Sequence, residues 1–273
     1  MRSRLSIGHW ISLYALNLVL CYLAGKDYNW DLLNYHFYGP ALLLGDRWGQ
    51  DYFAGSIQSY LNPIAYVPFF LMIKWGWPAL IIGLVLSTVQ FLNVIIIGSI
   101  AEKLLPKQIE GTRTLAYVIC LLAMAAPPYL QANGSSFNDP YSSIFILLGL
   151  RALLQEDSRI KQQAFIIGIC SGIAVGIKLT SALFAIAFAI NFVLRAASER
   201  RISLRCLAGQ LGYYGAGAAI AFLLVHGFWS TRLWQEFGSP VFPFFNAIFK
   251  APEFSFVNIR DYRFLGSGVL GLF

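Results

Sequence analysis

Charge along this chain is confined to short intervals, and long uninterrupted apolar stretches run between them. Uncharged stretches extend over Leu5–Gly25, Tyr52–Ile73, Trp75–Ala101, Thr114–Asn138 and Cys206–Thr231, with shorter ones at Pro140–Leu150, Gln162–Ile177 and Leu179–Leu194. A helix needs about 20 apolar residues to cross ~30 Å of hydrocarbon, and a charge at mid-bilayer costs about 2.5–3.5 kcal/mol. The pattern therefore predicts an all-α polytopic membrane protein. The run from Leu5 reads as a retained first span, because it is long and no small-residue cleavage site precedes the polar segment after Gly25.

Tyr52–Ile73 needs a separate decision. It carries Gln58, Ser59 and Asn62, and its Pro63 and Pro68 break or kink a helix. If it does not cross, one face of the membrane collects Arg2, Arg4, Lys103, Lys107, Arg113, Arg151, Arg159, Lys161, Arg195, Arg200, Arg201 and Arg205. That is 12 of the 20 basic residues. If it did cross, ten of them would move to the other side. The preference for basic residues on the cytoplasmic side selects the first arrangement, with Tyr52–Ile73 along or dipping into the outer face.

Seven transmembrane helices follow. The acidic residues Asp27, Asp31, Asp46, Asp51, Asp139, Glu236, Glu253 and Asp261 all fall on the outer face, eight of 13. The chain is expected to form a single transmembrane domain with a first span at 5–25 and an outer loop with interfacial helices at 26–74. A bundle at 75–226 and a second outer loop at 227–263 complete it. The apolar end Val269–Phe273 reads as the start of a further span within 264–273, so the chain is expected to be an N-terminal portion.

Composition agrees. Of 273 residues, 58% are hydrophobic and 12% charged, against about 25% charged in soluble domains, and the mean hydropathy is +0.62. The net charge of +7 is then a topology signal and does not point to nucleic acid. Cys21, Cys120, Cys170 and Cys206 lie in or beside apolar runs without a CxxC pair, and read as buried thiols.

Candidate chemistry collects on the outer face. In Lys26-Asp27-Tyr28-Asn29-Trp30-Asp31-Leu32-Leu33-Asn34-Tyr35-His36 the helical spacing puts Asp31, Asn34 and Tyr35 on one face. A short apolar helix over Tyr38–Gly45 should follow. Asp139 precedes Pro140, which predicts a helix start with the carboxylate at the positive end of the dipole. Lys178 separates two uncharged runs and should mark a tight outer turn. Arg232 is a forked donor suited to phosphate, and Pro240 and Pro243 exclude a regular helix beside it. Each has a purely structural alternative: a helix-end charge for Asp27, Asp31 and Asp139, a snorkelling stem for Lys178, a flanking cation for Arg232, and an interfacial ring for Trp30, Tyr35, Tyr38, His36 or His226.

Taken together these segments resemble the GT-C superfamily of integral-membrane glycosyltransferases that use polyprenyl-phosphate sugars, a group including protein O-mannosyltransferases and bacterial aminoarabinose transferases. Asp31 and Tyr35 match the ends of an Asp-Glu-x-x-Tyr motif after the first span. Asn62-Pro63-Ile64 resembles its Pro-rich interfacial segment, and Asp139 matches a second outer Asp. Gly168–Gly176 with Lys178-Leu179-Thr180 is similar to a glycine-rich span with a terminal Lys, and Trp229–Pro243 to a Trp…Arg…Gly-Asn-Pro loop. Leu32 stands where the motif has Glu, Asn62-Pro63 where it has His-Pro-Pro, and Ser239 where it has Asn. These departures set the chain apart from the mannosyltransferase branch.

The resemblance implies an inverting glycosyltransferase of the bacterial inner membrane, active on its periplasmic face. The donor would be a polyprenyl-phosphate-linked sugar and the acceptor a lipid, glycan or protein. Asp31 is the expected general base, with Asp139 and Asp27 as further catalytic carboxylates. Lys178 and Arg232 would neutralise the phosphate, and Tyr35, Asn34, His36 and Asn62 would bind substrate. A divalent cation shared by Asp139 is compatible with the resemblance. Two other classes use the same charges differently: a transporter or flippase of lipid-linked sugars that forms no bond, and an assembly subunit.

Overall fold

The computed structural model describes residues 5–47, 55–106, 111–155, 159–198 and 203–259, which are helical and contain no strand. Asp51, Asp261, the 264–273 segment and five of the basic residues expected on the cytoplasmic face, Arg2, Arg4, Lys107, Arg200 and Arg201, lie outside them.

Helix α1 (Ile7–Ala24) is capped by Ser6. A single π-helical turn (Leu32–His36) and α2 (Tyr38–Gly45) follow, then 3-10 turns at Ser56–Tyr60 and Ile64–Tyr66 and the short α3 (Val67–Lys74). Pro78 opens α4 (Ala79–Gln90), which continues after a slight break at Phe91 into α5 (Leu92–Leu104). Next come α6 (Thr112–Ala125), α7 (Pro127–Ala132), α8 (Asp139–Leu153), α9 (Ile160–Ile177), α10 (Ala182–Ser198), the long α11 (Leu204–Phe237) and α12 (Asn246–Phe249).

Five segments are long and apolar enough to cross a bilayer: Ile7–Ala24, Ala79–Leu104, Ile160–Ile177, Leu179–Ser198 and Leu204–Phe237. The uncharged run Thr114–Asn138 is not one helix. Pro127 and Pro128 end α6 and start the short α7, because proline accepts no continuation of the preceding helix. Residues 133–138 then form an irregular loop, and Asn133, Ser135, Ser136 and Asn138 are buried in it. Non-helical backbone at such a place must be enclosed by protein. Here Gly134, at φ +75, packs against Cys21 and the Gly83 carbonyl, where a side chain would collide.

Helix directions follow from pairwise contacts. Tyr14 bonds Thr88 at 2.9 Å, Asn17 bonds Ser87 at 2.7 Å, and Gly83 lies beside Cys21. So α1 and the α4–α5 rod are antiparallel, and the chain leaves α1 at the same end at which it enters α4. An uncrossed 52–73 segment requires this arrangement, and α3 is only 8 residues long. Helices α5 and α8 are parallel, with Asn93 bonded to the Pro140 carbonyl and Lys103 to the Arg151 carbonyl. Helices α8 and α9 form an antiparallel hairpin, in which Gln163 donates to the Ala152 carbonyl at 2.7 Å and Ser142 meets Ser181 at 2.6 Å.

Helices α9 and α11 run parallel in very close contact. Side chains at Gly168 or Gly172 would run into the Tyr214 or Ala218 carbonyls, the small-residue packing that lets membrane helices approach each other's backbone. One end of the bundle thus gathers Lys103, Arg151, Arg159 and Lys161. The other gathers Asp27, Asp31, Asp139 and Lys178.

The chain divides into two compact units, Met1–His226 and Gly227–Phe273. The bundle just described is the first. In the second, α11 stays helical through Phe237, six residues beyond the uncharged run that predicted it. Turns at 240–245 follow, and Phe237 stacks on Phe242 at 4.0 Å. Asn246 ties the loop after it by donating to the carbonyls of Ala251, Phe254 and Ser255.

Candidate functional site

The exit of α1 is clamped before any functional group is placed. Asp27 accepts four hydrogen bonds. Asn29 supplies two, from its backbone at 3.1 Å and its amide at 2.6 Å, and Ser136 supplies two, from its backbone at 2.8 Å and its hydroxyl at 2.9 Å. Asp27 therefore joins the segment after α1 to the loop before α8. Asn29 in turn accepts from the Leu32 backbone at 2.7 Å, which starts the π-helical turn.

That turn sets Asp31 and Tyr35 against each other. The Tyr35 hydroxyl donates to the Asp31 carboxylate and accepts from Tyr66. Asp31 is half-buried, and burial raises its pKa. The Tyr35 bond and the Lys178 charge oppose the shift, while Asp139 adds to it. Burial also pushes the Tyr35 hydroxyl up, with Asp31 contributing. Asn34 turns back to donate to the Trp30 carbonyl at 2.6 Å, so its amide stabilises the turn.

His36 is almost wholly buried, 1% exposed. Its Nδ1 lies 2.8 Å from Ser136 Oγ, and its ring stacks on Tyr66 at 4.2 Å. The Ser136 hydroxyl proton goes to Asp27, which can only accept, so His36 Nδ1–H donates to Ser136. Burial lowers the His36 pKa to about 4, and the ring is neutral at pH 7. Its Nε2 is buried without a hydrogen bond.

The second wall comes from the ends of α8 and α9. Asp139 is the first residue of α8 with Pro140 behind it, the helix start that the Asp-Pro step predicts. Lys178 ends α9 and leads into the 3-10 turn Leu179–Ser181. Lys178 Nζ and Asp139 Oδ1 form an ion pair at 2.6 Å, with side chains 33% and 60% exposed. The electrostatic influence of this pair on Asp31 and His36 identifies one cluster rather than separate helix ends.

Asn62 works behind that wall. It donates to the Gly176 carbonyl at 2.9 Å and the Val225 carbonyl at 3.0 Å, and accepts from the Ile64 backbone at 3.1 Å. Both amide hydrogens are used, so the residue anchors the turn that leads into Ile64–Tyr66 to α9 and α11. His226 also bonds the Gly176 carbonyl, at 3.2 Å. Arg232 belongs to the second unit, where it pairs with Glu236 at 3.3 Å.

A cavity of about 550 Å³ opens beside the ion pair. Asp139 and Lys178 stand among its lining residues, and Ile97, Ala123, Ile146, Leu147 and Phe184 give it a mainly apolar wall. A buried polar network holds that wall. Tyr129 donates to Asn17 at 2.6 Å, Ser87 to Asn133 at 2.7 Å, and Gln90 receives the Gly134 backbone at 2.8 Å.

A divalent cation does not suit this donor set. The Lys178 ammonium already occupies an oxygen of Asp139, and no group of three His, Cys, Asp or Glu side chains converges among the described residues. Comparison with family models, characterised proteins and solved structures finds no significant match for this chain. The functional reading therefore rests on the geometry.

Ser136, Tyr66 and Asn138, whose amide donates to the Ile177 carbonyl at 3.4 Å, are the participants that spacing alone does not single out. Ser136 and Asn138 stand in the polar Asn133–Asp139 run, and their density between apolar stretches is the signal that marks them.

Proposed function

We propose that the chain is a membrane glycosyltransferase that moves a sugar from a polyprenyl-phosphate donor to an acceptor hydroxyl at the acidic end of the bundle. One observation carries the reading: a half-buried carboxylate with raised proton affinity, Asp31, shares an electrostatic cluster with a lysine at the mouth of an apolar cavity. A lipid phosphate asks for that combination, with hydrocarbon for the tail, a cation for the phosphate and a base beside the reacting carbon.

In the reaction the acceptor oxygen attacks the anomeric carbon and its proton passes to Asp31. The bond from that carbon to the phosphate oxygen breaks, and both its electrons leave with the phosphate. Lys178 neutralises the departing charge as a point cation. Attack opposite the leaving group inverts the anomeric centre. Asp139 holds Lys178 in place, Tyr35 orients Asp31, and Asp27 and Asn62 fix the two segments that carry them.

The α6–α7 segment and α8 complete seven crossings in this reading. The acidic end faces the periplasm of a bacterial inner membrane, as the basic residues at the other end favour. Transporters hold their key charges near the midplane on paired broken helices, whereas these charges gather at one end, which favours bond formation over flipping.

The test is transfer of labelled sugar from polyprenyl-phosphate donor in proteoliposomes. Asp31→Asn should lower the rate about 10²–10⁴-fold. Unchanged turnover in that variant would remove Asp31 from the reaction, and movement of donor between leaflets without a new glycosidic bond would replace the reading with a flippase.

A further inference from the structure

The basic end of the bundle carries a cleft of its own. Arg159, Ile160, Lys161 and Phe165 at the start of α9 face Cys206 and Tyr213 at the start of α11 across about 650 Å³. Lys161 Nζ stands 5.6 Å over the Tyr213 ring. Its stem passes so near Gly209 that an added Cβ would lie 3.3 Å from Lys161 Cε. Glycine at 209 thus leaves room for the lysine to lie along α11, and the aromatic face orients its ammonium. Among the described lining residues two are cations and none is an anion, and Ile160, Phe165 and Tyr213 make the walls apolar.

Depth narrows the occupant. Helix α9 has 18 residues, so at ~1.5 Å per residue its two ends are about 27 Å apart, close to the ~30 Å of a hydrocarbon core. With Lys178 at one headgroup plane, Arg159 and Lys161 stand at the other. A soluble anion has no use for apolar walls at that depth. A zwitterionic headgroup would bring its own cation against two fixed cations.

We propose that this cleft binds the phosphodiester headgroup of an anionic phospholipid from that leaflet. Arg159 and Lys161 meet the phosphate, and an acyl chain lies along Ile160, Phe165 and Tyr213. The site is separate from the Asp31 cluster and stands whether or not the chain transfers sugar.

Cys206 supplies a local probe, since it lines the cleft and is half-buried while Cys21, Cys120 and Cys170 are buried. The experiment measures alkylation of Cys206 by neutral iodoacetamide in nanodiscs of phosphatidylcholine alone or with phosphatidylglycerol. A site two-thirds occupied should slow labelling about threefold in the anionic discs. Lys161→Arg should keep the slowing, and the Arg159→Gln/Lys161→Gln variant should lose it at the same membrane surface charge. If the double variant does not accumulate, Lys161→Gln alone should lose most of it. Inorganic phosphate added to phosphatidylcholine discs should leave the rate unchanged. Equal rates in both discs, equal slowing in the glutamine variants, or slowing by inorganic phosphate would each overturn the assignment.

Discussion

Lys178 Nζ and Asp139 Oδ1 meet at 2.6 Å although 39 residues separate them in the chain. Their meeting is set by the α8–α9 hairpin, whose register places the first residue of one helix beside the last of the other. Both side chains keep partial exposure, so the pair adds little to folding and remains within reach of a ligand.

Removal of the cation should therefore separate function from stability. Lys178→Gln should fold with a melting temperature near that of the parent chain, yet lose sugar transfer by about 10²–10³-fold, the range for a group that stabilises developing charge. Initial rates in proteoliposomes, beside thermal melts in detergent, check this. An unchanged rate would assign Lys178 to the interface alone.

Stability should depend on pH through His36. Its folded pKa is lowered to about 4 from an ordinary 6.5. Between these values the unfolded chain binds the proton and the folded chain does not, so stability falls as pH drops from about 6.5 towards 4. Crossing the whole interval would cost of order 3 kcal/mol. Melts between pH 7 and 5 should show the decline in the parent chain and a flatter profile in His36→Gln. An identical slope in both would place the titration elsewhere.

The glycines of α9 and α11 are not equivalent. A Cβ at Gly172 meets the Ala218 carbonyl and the Ala221 side chain, whereas Gly212 has open space around it. Gly172→Val should force the helices apart and destabilise by at least about 2 kcal/mol. Gly212→Ala should be neutral within about 0.5 kcal/mol. Comparable losses in the two variants would contradict the packing.

Much of the architecture was readable because a bilayer penalises charge at depth, and that penalty is visible residue by residue. It delimits α1, the α4–α5 rod and α9–α11, and places Asp31, Asp139 and Lys178 at one end. What escaped was carried by long-range contacts. Nothing local to Asn62 tells that its amide reaches Gly176 and Val225, or that Asp27 spends all its acceptor capacity on Asn29 and Ser136. The break in Thr114–Asn138 was announced by Pro127-Pro128, but an apolar run hides it when charge alone is followed. Cys206, expected buried, is half-buried and lines a cleft between the starts of α9 and α11.

Lys178 and Asp139 exert opposing fields at the Asp31 carboxylate, and the pH dependence of sugar transfer measures them. Transfer should rise with pH as Asp31 loses its proton. Lys178 holds the Asp31 pKa down and Asp139 pushes it up, both against the larger effect of burial. Lys178→Gln should therefore move the acid limb of the rate profile to higher pH, and Asp139→Asn should move it to lower pH. Opposite displacements in the two variants are the predicted result. An acid limb that stays in place in both would contradict a base at Asp31 working within this cluster.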